Sequence, residues 1–186
     1  MIPITAVSFG QEEEQRVLEV IRSGIIAQGP VVAEFERRFA EMSGTEHAIA
    51  VNNGTTSLIA SIQVLDLQPG DEVITSPFTF VATLNAILEA GATAVFADIR
   101  EEDFNIDPAK VRDLVNERTK AIMPVHLYGQ MADMDPLVEI AEEFGLTIIE
   151  DSAQSHGAEY KGRRSGSYGL GSFSVYATKN LTTGEG

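Results

Sequence analysis

The feature that most constrains the fold is a regular alternation of short apolar runs with longer amphipathic runs from about residue 47 onwards. The apolar runs predicted as strands are HAIAVNN, DEVITSP, TAVFADI, KAIMPVH and LTIIED. The segments between them, such as TTSLIASIQVL, FVATLNAILEAG and MDPLVEIAEEFG, have helical spacing. Strands that are apolar on consecutive residues are buried on both faces. The pattern therefore predicts an α/β fold in which helices cover both sides of a mostly parallel sheet.

Two helices are predicted before this alternation begins. The first has the acidic run at residues 12–14 as its first turn and ends near Gly24, and the second begins at Pro30 and ends at Gly44. Near the other end of the chain, SFSVYA is predicted to be a further strand, and YKGRRSGSYG is predicted to be a hairpin or a surface loop. The chain of 186 residues is long enough for one large domain.

Charge and composition exclude several functional classes. The 28 acidic and 13 basic residues give a net charge of −15, which disfavours nucleic acid and anionic membranes as partners. The chain has no cysteine and only three histidines, so a metal site is not expected. A signal peptide and a membrane-spanning run are not recognisable, and a cytoplasmic location is expected.

In a parallel sheet, functional residues gather beyond the carboxyl ends of the strands. One such place is Gly54-Thr55-Thr56, where a predicted strand passes into a helix. Free backbone N–H groups, the helix dipole and the threonine hydroxyls would together suit a phosphate group. An ordinary helix cap is the alternative interpretation.

Two further residues are candidates for chemistry. Asp151 ends the apolar run IIED, where a carboxylate would accept a hydrogen bond from a ligand or cap the next segment. Lys179 follows the predicted strand SFSVYA and precedes the turn TTGEG. A lysine held by such a framework would attack a carbonyl compound, whereas most lysines are solvated surface charges. With the aromatic side chain of Phe80, these groups match the parts of pyridoxal 5′-phosphate (PLP).

The motifs PFTFVATLNAI, PVHLYGQMADMD, IIEDSAQSHGA and SVYATKNLTTGEG together resemble the DegT/DnrJ/EryC1/StrS family of PLP-dependent sugar aminotransferases. The resemblance implies the large domain of fold-type I PLP enzymes, a three-layer α/β/α domain. Residues 1–186 would then form an N-terminal segment plus most of this domain. Because family members are about twice as long, the C-terminal small domain is expected to be absent from this chain.

The resemblance also implies roles for individual residues. Lys179 would bond covalently to the cofactor and move protons, and Asp151 would pair with the pyridine nitrogen. Phe80 would stack on the ring, and Gln154 would lie beside the cofactor. The residues expected to bind the phosphate are Gly54, Thr55, Thr56 and Ser174.

The implied reaction is amino transfer from an amino acid, expected to be glutamate, to a nucleotide-linked keto-sugar, in a homodimer with shared active sites. Some relatives carry histidine at the lysine position and dehydrate sugars, so Lys179 favours amino transfer. A sugar dehydratase and a non-catalytic PLP-binding or regulatory protein remain the alternatives. His126, Tyr128 and His156 are weaker candidates for ligand contacts, since a histidine at a strand end often has a structural role.

Overall fold

The computed structural model describes residues 6–186. They divide into two compact units, one that ends at Ala50 and one that spans Val51–Gly186. The first unit contains helices α1 (Gln11–Ser23) and α2 (Pro30–Ser43). Each helix ends at a glycine in the left-handed conformation, Gly24 after α1 and Gly44 after α2. These boundaries confirm the helices predicted from the sequence.

The second unit contains all of the strands found in residues 6–186. Its helices are α3 (Gly54–Gln63), α4 (Ala82–Glu89), α5 (Pro108–Leu114) and α6 (Met134–Phe144). Its strands are β1 (Glu72–Thr75), β2 (Thr93–Phe96), β3 (Thr119–Met123), β4 (Thr147–Asp151), β5 (Glu159–Tyr160), β6 (Arg163–Arg164) and β7 (Leu170–Ser172). Five of them form one sheet in the order β2-β1-β3-β4-β7, with every pair parallel.

Consecutive apolar residues in the strands point to opposite faces of this sheet and build two separate cores. On one face, Ile122 and Ile148 pack with residues of α5 and α6. On the other face, Ala121 and Ile149 pack with residues of α3 and α4. The result is the expected three-layer α/β/α arrangement, in which both faces of the sheet are buried.

The segment YKGRRSGSYG forms the hairpin that was one of its two predicted structures. Strands β5 and β6 pair in antiparallel fashion around Lys161 and Gly162, both with positive φ. A two-residue turn in which both residues have positive φ matches the right-handed twist of the two strands that it connects.

The prediction of a strand at HAIAVNN, residues 47–53, is wrong. Ile49 in this segment is 82% exposed, and the backbone N–H of Ala50 donates to the Glu36 side chain at 2.8 Å. The carboxylate of Glu36 takes the place of a carbonyl group of a neighbouring strand as the acceptor for this N–H. The apolar pattern alone did not reveal the absence of a strand partner.

No helix within residues 6–186 combines the length and the apolar character that crossing a membrane requires.

Candidate functional site

A cavity of about 460 Å³ lies in the second unit, beyond the carboxyl ends of the parallel strands. The segments that follow β1, β3, β4 and β7 and the N-terminus of α3 all contribute to its wall. The lining residues that matter for its chemistry are Asn53, Gly54, Thr55, Thr79, Phe80, Asp151, Gln154, Ser174, Tyr176, Lys179 and Glu185. A cavity at this edge of a sheet is typical of ligand sites in parallel α/β folds.

The structure brings together seven of the eight residues predicted from the sequence. Thr56 is the exception, since it lies outside the described cavity wall. Its backbone N–H donates to the side chain of Asn53, the N-cap of α3, at 2.8 Å. The backbone N–H of Thr56 is thus used by the helix cap, which was the alternative interpretation of this stretch.

Gly54 and Thr55 occupy the first two positions of α3, where backbone N–H groups have no acceptor within the helix. Ser174 lies directly against this helix start. A Cβ atom built on Gly54 would be only 2.7 Å from the Cβ of Ser174. The close approach places the Ser174 segment and the positive end of the helix dipole at one spot, which is suited to an anion.

We expect Gly54→Ala to weaken anion binding at this spot by about tenfold. The added methyl group would overlap the Cβ of Ser174, and relieving the overlap would move the Ser174 segment away from the helix. Overpacking of this kind costs roughly 1–3 kcal/mol of stability. Inorganic phosphate and PLP titrations, followed by calorimetry, would measure the loss of affinity, and urea denaturation would measure the loss of stability.

The double variant Gly54→Ala/Ser174→Gly is the control. It removes the Cβ that is overlapped, so stability should partly recover, while the loss of the Ser174 hydroxyl keeps binding weak. Unchanged affinity in the single variant would show that the anion does not bind at the start of α3.

Asp151 is the last residue of β4 and is only 4% exposed. Its Oδ2 accepts a hydrogen bond from the Thr83 hydroxyl at 2.7 Å, and its Oδ1 accepts one from the backbone N–H of Ala153 at 3.2 Å. Burial raises the pKa of this carboxyl above its usual value, while both hydrogen bonds and the charge of Lys179 act in the opposite direction. A buried acid at a cavity wall is a candidate partner for a cationic ligand group.

Lys179 also lines the cavity, but the strand SFSVYA that was predicted just before it does not form beyond Ser172. Strand β7 ends at Ser172, and the following residues form a loop that turns back on itself. The backbone N–H of Val175 donates to the carbonyl of Gly186 at 2.9 Å, and that of Lys179 donates to the carbonyl of Tyr176 at 2.9 Å. The lysine is therefore held by a closed loop, because backbone hydrogen bonds within the loop replace a sheet ladder here.

The aromatic and amide candidates lie on other parts of the wall. Phe80 is 69% exposed and precedes α4, so the ring has an accessible face. The Gln154 Oε1 accepts a hydrogen bond from the backbone N–H of Tyr128 at 2.8 Å. This contact fixes the amide of Gln154 at the cavity wall.

The weaker histidine and tyrosine candidates lie outside the described cavity wall. His126 is fully buried; its Nδ1 accepts the N–H of Ala132 at 3.2 Å, and its Nε2 lies 3.0 Å from Glu150. Burial lowers the pKa of His156, whose ring packs against Phe173. The ring of His126 thus satisfies the backbone N–H of Ala132, which fits the structural interpretation of such histidines.

Sequence reasoning missed five polar or aromatic residues of the wall: Asn53, Thr79, Tyr176, Thr178 and Glu185. Asn53 was detectable, because asparagine directly before a glycine-initiated helix is a common N-cap. The others lie on loops whose course depends on tertiary contacts, so a local pattern did not identify them.

A family model described as the DegT/DnrJ/EryC1/StrS aminotransferase family matches residues 7–186. The spore coat polysaccharide biosynthesis protein SpsC of Bacillus subtilis is 48% identical over all of this chain, which covers 48% of that protein. GDP-perosamine synthase of Caulobacter vibrioides is 45% identical, again over all of this chain and 50% of that protein. The chain thus spans about half the length of the curated relatives it matches.

Two solved structures have the same fold with a TM-score of 0.94. An aminotransferase from Psychrobacter cryohalolentis is 40% identical, with 98% of this chain and 48% of that chain covered. GDP-4-keto-6-deoxy-D-mannose-3-dehydratase of E. coli, solved with bound hydrated PLP, is 27% identical, with 98% and 49% covered. Both are fold-type I neighbours, which confirms the predicted fold class.

Proposed function

The chain belongs to the DegT/DnrJ/EryC1/StrS aminotransferase family, and from this we propose that it is the PLP-binding part of a sugar aminotransferase. Residues 1–186 would supply an N-terminal segment and most of the large domain. The amino acceptor would be a nucleotide-linked keto-sugar and the donor an amino acid, with glutamate expected. The names of the perosamine synthase and of the dehydratase, both of which refer to GDP-linked sugars, support this substrate class.

The observation that carries the proposal is the presence of Lys179, Asp151, Phe80 and the start of α3 around one cavity. These groups fit the chemistry of PLP. The tight contact of Gly54 with Ser174 places the unpaired N–H groups at the start of α3 beside Ser174, which suits an anion, and the buried carboxyl of Asp151 suits a protonated ring nitrogen. When bound, PLP supplies an aldehyde that takes up the amino group of the donor and a ring that accepts electrons from the substrate carbon.

The chain's own residues would act on this cofactor by holding it and by moving protons. The N–H groups of Gly54 and Thr55 would hold the phosphate together with the Ser174 hydroxyl, and Phe80 would cover one face of the ring. Asp151 would keep the ring nitrogen protonated, since a carboxylate stabilises a neighbouring cation in a low-dielectric site. The amine of Lys179 would remove the proton from the α-carbon of the amino donor and, in the second half of the reaction, would deliver a proton to the sugar carbon that receives the nitrogen.

The proposed enzyme would be a homodimer in the cytoplasm, with residues from both subunits at each site. The family resemblance supports this expectation, and the sedimentation of the full-length protein with and without PLP would test it.

The test of function is incubation of the full-length protein with glutamate carrying an isotope-labelled amino nitrogen and a panel of nucleotide-linked keto-sugars. We expect the label to appear in the sugar product, detected by mass spectrometry, because amino transfer moves that nitrogen. A product that lacks the label and has lost its hydroxyl group would indicate the dehydratase instead. A visible spectrum that does not respond to any amino acid would indicate a PLP-binding protein without catalysis.

A further inference from the structure

A chain of two hydroxyl groups connects the cavity wall to the buried carboxyl of Asp151. The Oγ1 atoms of Thr79 and Thr83 are 2.7 Å apart, and that of Thr83 is 2.7 Å from the Asp151 Oδ2. Thr83 is fully buried in α4, whereas Thr79 lies four residues earlier and lines the cavity. The contact between Thr83 and Asp151 joins residues 68 positions apart in the sequence.

The direction of this chain follows from the number of hydrogens that each group has. A hydroxyl donates only one hydrogen, and an ionised carboxylate only accepts. When Asp151 is ionised, Thr83 must donate to its Oδ2, so Thr79 must donate to Thr83. Both hydroxyl groups then point toward the negative charge and stabilise it. The hydrogen bond from Thr83 to Asp151 is therefore charge-assisted, and the hydrogen bond from Thr79 to Thr83 strengthens it.

The surroundings of Asp151 show why such support matters. Burial raises the pKa of this carboxyl, and the Thr83 hydroxyl is the largest of the contributions that lower it. The N–H of Ala153 and the charge of Lys179 act in the same direction as Thr83. Glu150, the neighbour in β4, accepts the N–H of Gly166 at 2.9 Å and belongs to the opposite face of the sheet.

We propose that Thr83 is a positioning residue that fixes the carboxylate of Asp151 for the cofactor ring, and that Thr79 supports it from the cavity wall. The proposal rests on the proposed function, in which Asp151 pairs with the pyridine nitrogen of PLP. Thr83 acts through Asp151 and does not itself contact the ligand. A hydroxyl at this position, rather than the size of the side chain, is the feature required.

Thr83→Val tests the proposal, because valine has the shape of threonine but lacks the hydroxyl. Carbon-13 NMR of the aspartate carboxyls in PLP-free, full-length protein would follow the titration of Asp151, which is assigned from an Asp151→Asn variant. We expect the Asp151 signal to titrate at higher pH in Thr83→Val. The dissociation constant of PLP should be about tenfold larger near neutral pH, and the difference should shrink as the pH rises and the carboxyl ionises.

Two variants serve as matched controls. Thr83→Ser keeps the hydroxyl and should restore both the titration and the PLP affinity. Thr75→Val also removes a buried threonine hydroxyl, one that donates to the carbonyl of Met123 at 2.8 Å. It should lower stability by a similar amount and leave the Asp151 titration unchanged.

A Thr83→Val protein that titrates like the wild type would overturn the inference. If Thr83→Val does not fold, Thr79→Val replaces it, and an unchanged Asp151 titration in that variant would overturn the hydroxyl chain equally. Failure of the wild type to bind PLP would contradict the proposed function instead, whereas the NMR titration would still decide whether Thr83 controls Asp151.

Discussion

Lys179→Ala is expected to abolish amino transfer, with a loss of at least about 10³-fold in turnover. In the proposed site this amine both bonds covalently to the cofactor and moves the proton between donor and acceptor, and alanine performs neither task. Lys179 lies in the closed loop after β7 and lines the cavity, so no other lysine is placed to replace it among the described lining residues. Turnover would be measured with the labelled amino donor.

A second measurement is independent of turnover. Borohydride reduction of the PLP-loaded protein should attach the cofactor permanently to the peptide that contains Lys179, as detected by peptide mass spectrometry. Lys120→Ala is the matched control, since Lys120 is an exposed lysine on β3 that contacts the carbonyl of Glu117. Attachment of the cofactor to another lysine, or wild-type turnover in Lys179→Ala, would contradict the role proposed for Lys179.

Asp151→Asn is expected to slow turnover by roughly 10²–10³-fold while some PLP still binds. The variant removes the negative charge that would keep the ring nitrogen protonated, and lost electrostatic stabilisation in a buried site has effects of this size. The phosphate contacts at the start of α3 are unchanged by it. Single-turnover kinetics with glutamate, followed by the visible spectrum, would measure the rate of proton removal directly, and a wild-type rate would contradict the pairing.

The same variant should make the PLP-free protein more stable at neutral pH. Burial raises the pKa of Asp151 in the folded state above its unfolded value, so the folded protein binds the proton more tightly. Stability therefore falls as the pH rises from the unfolded pKa through the folded pKa, and this cost persists at higher pH. Thermal melts should show a higher Tm for Asp151→Asn near pH 7, with the difference vanishing in acid. A lower Tm for the variant at neutral pH would contradict this explanation.

Such a gain in stability with a loss of function is typical of a buried charge that a protein retains for its chemistry. Thr83 and the N–H of Ala153 reduce the cost of this charge through hydrogen bonds at 2.7 and 3.2 Å. They do not remove the cost, because burial remains the largest influence on the pKa of Asp151.

Much of the fold was predictable because its signals are local. The glycines after α1 and α2 ended those helices where predicted. The runs that are apolar on consecutive residues correctly predicted β1 to β4. Two predicted strands, at residues 47–53 and 172–177, did not form as predicted. In the first, Ala50 finds an acceptor in Glu36, and in the second, Val175 finds one in Gly186. A strand needs a neighbour for its backbone groups, and the sequence of one segment does not report whether a neighbour is available.

In the candidate site, too, some features were predictable from local sequence and others depended on tertiary contacts. The ends of apolar runs identified Gly54 and Asp151, the predicted strand and turn on either side identified Lys179, and the family motifs identified Ser174. The contact of Gly54 with Ser174, the burial of Asp151 and its bond to Thr83 became visible only in the folded chain. Those contacts join positions that are distant in the sequence and carry no common pattern.

The sequence by itself determined the layered α/β architecture, the edge of the sheet where chemistry would gather and the family, because hydrophobic periodicity, helix caps and motifs are written in neighbouring residues. Only the tertiary structure decided which candidates meet around one cavity, that Thr56 is drawn into a helix cap, and that Thr79 and Thr83 support the buried carboxylate. The physical reason is that burial and hydrogen bonding between distant segments depend on how helices and strands pack together, and that packing is a property of the whole domain.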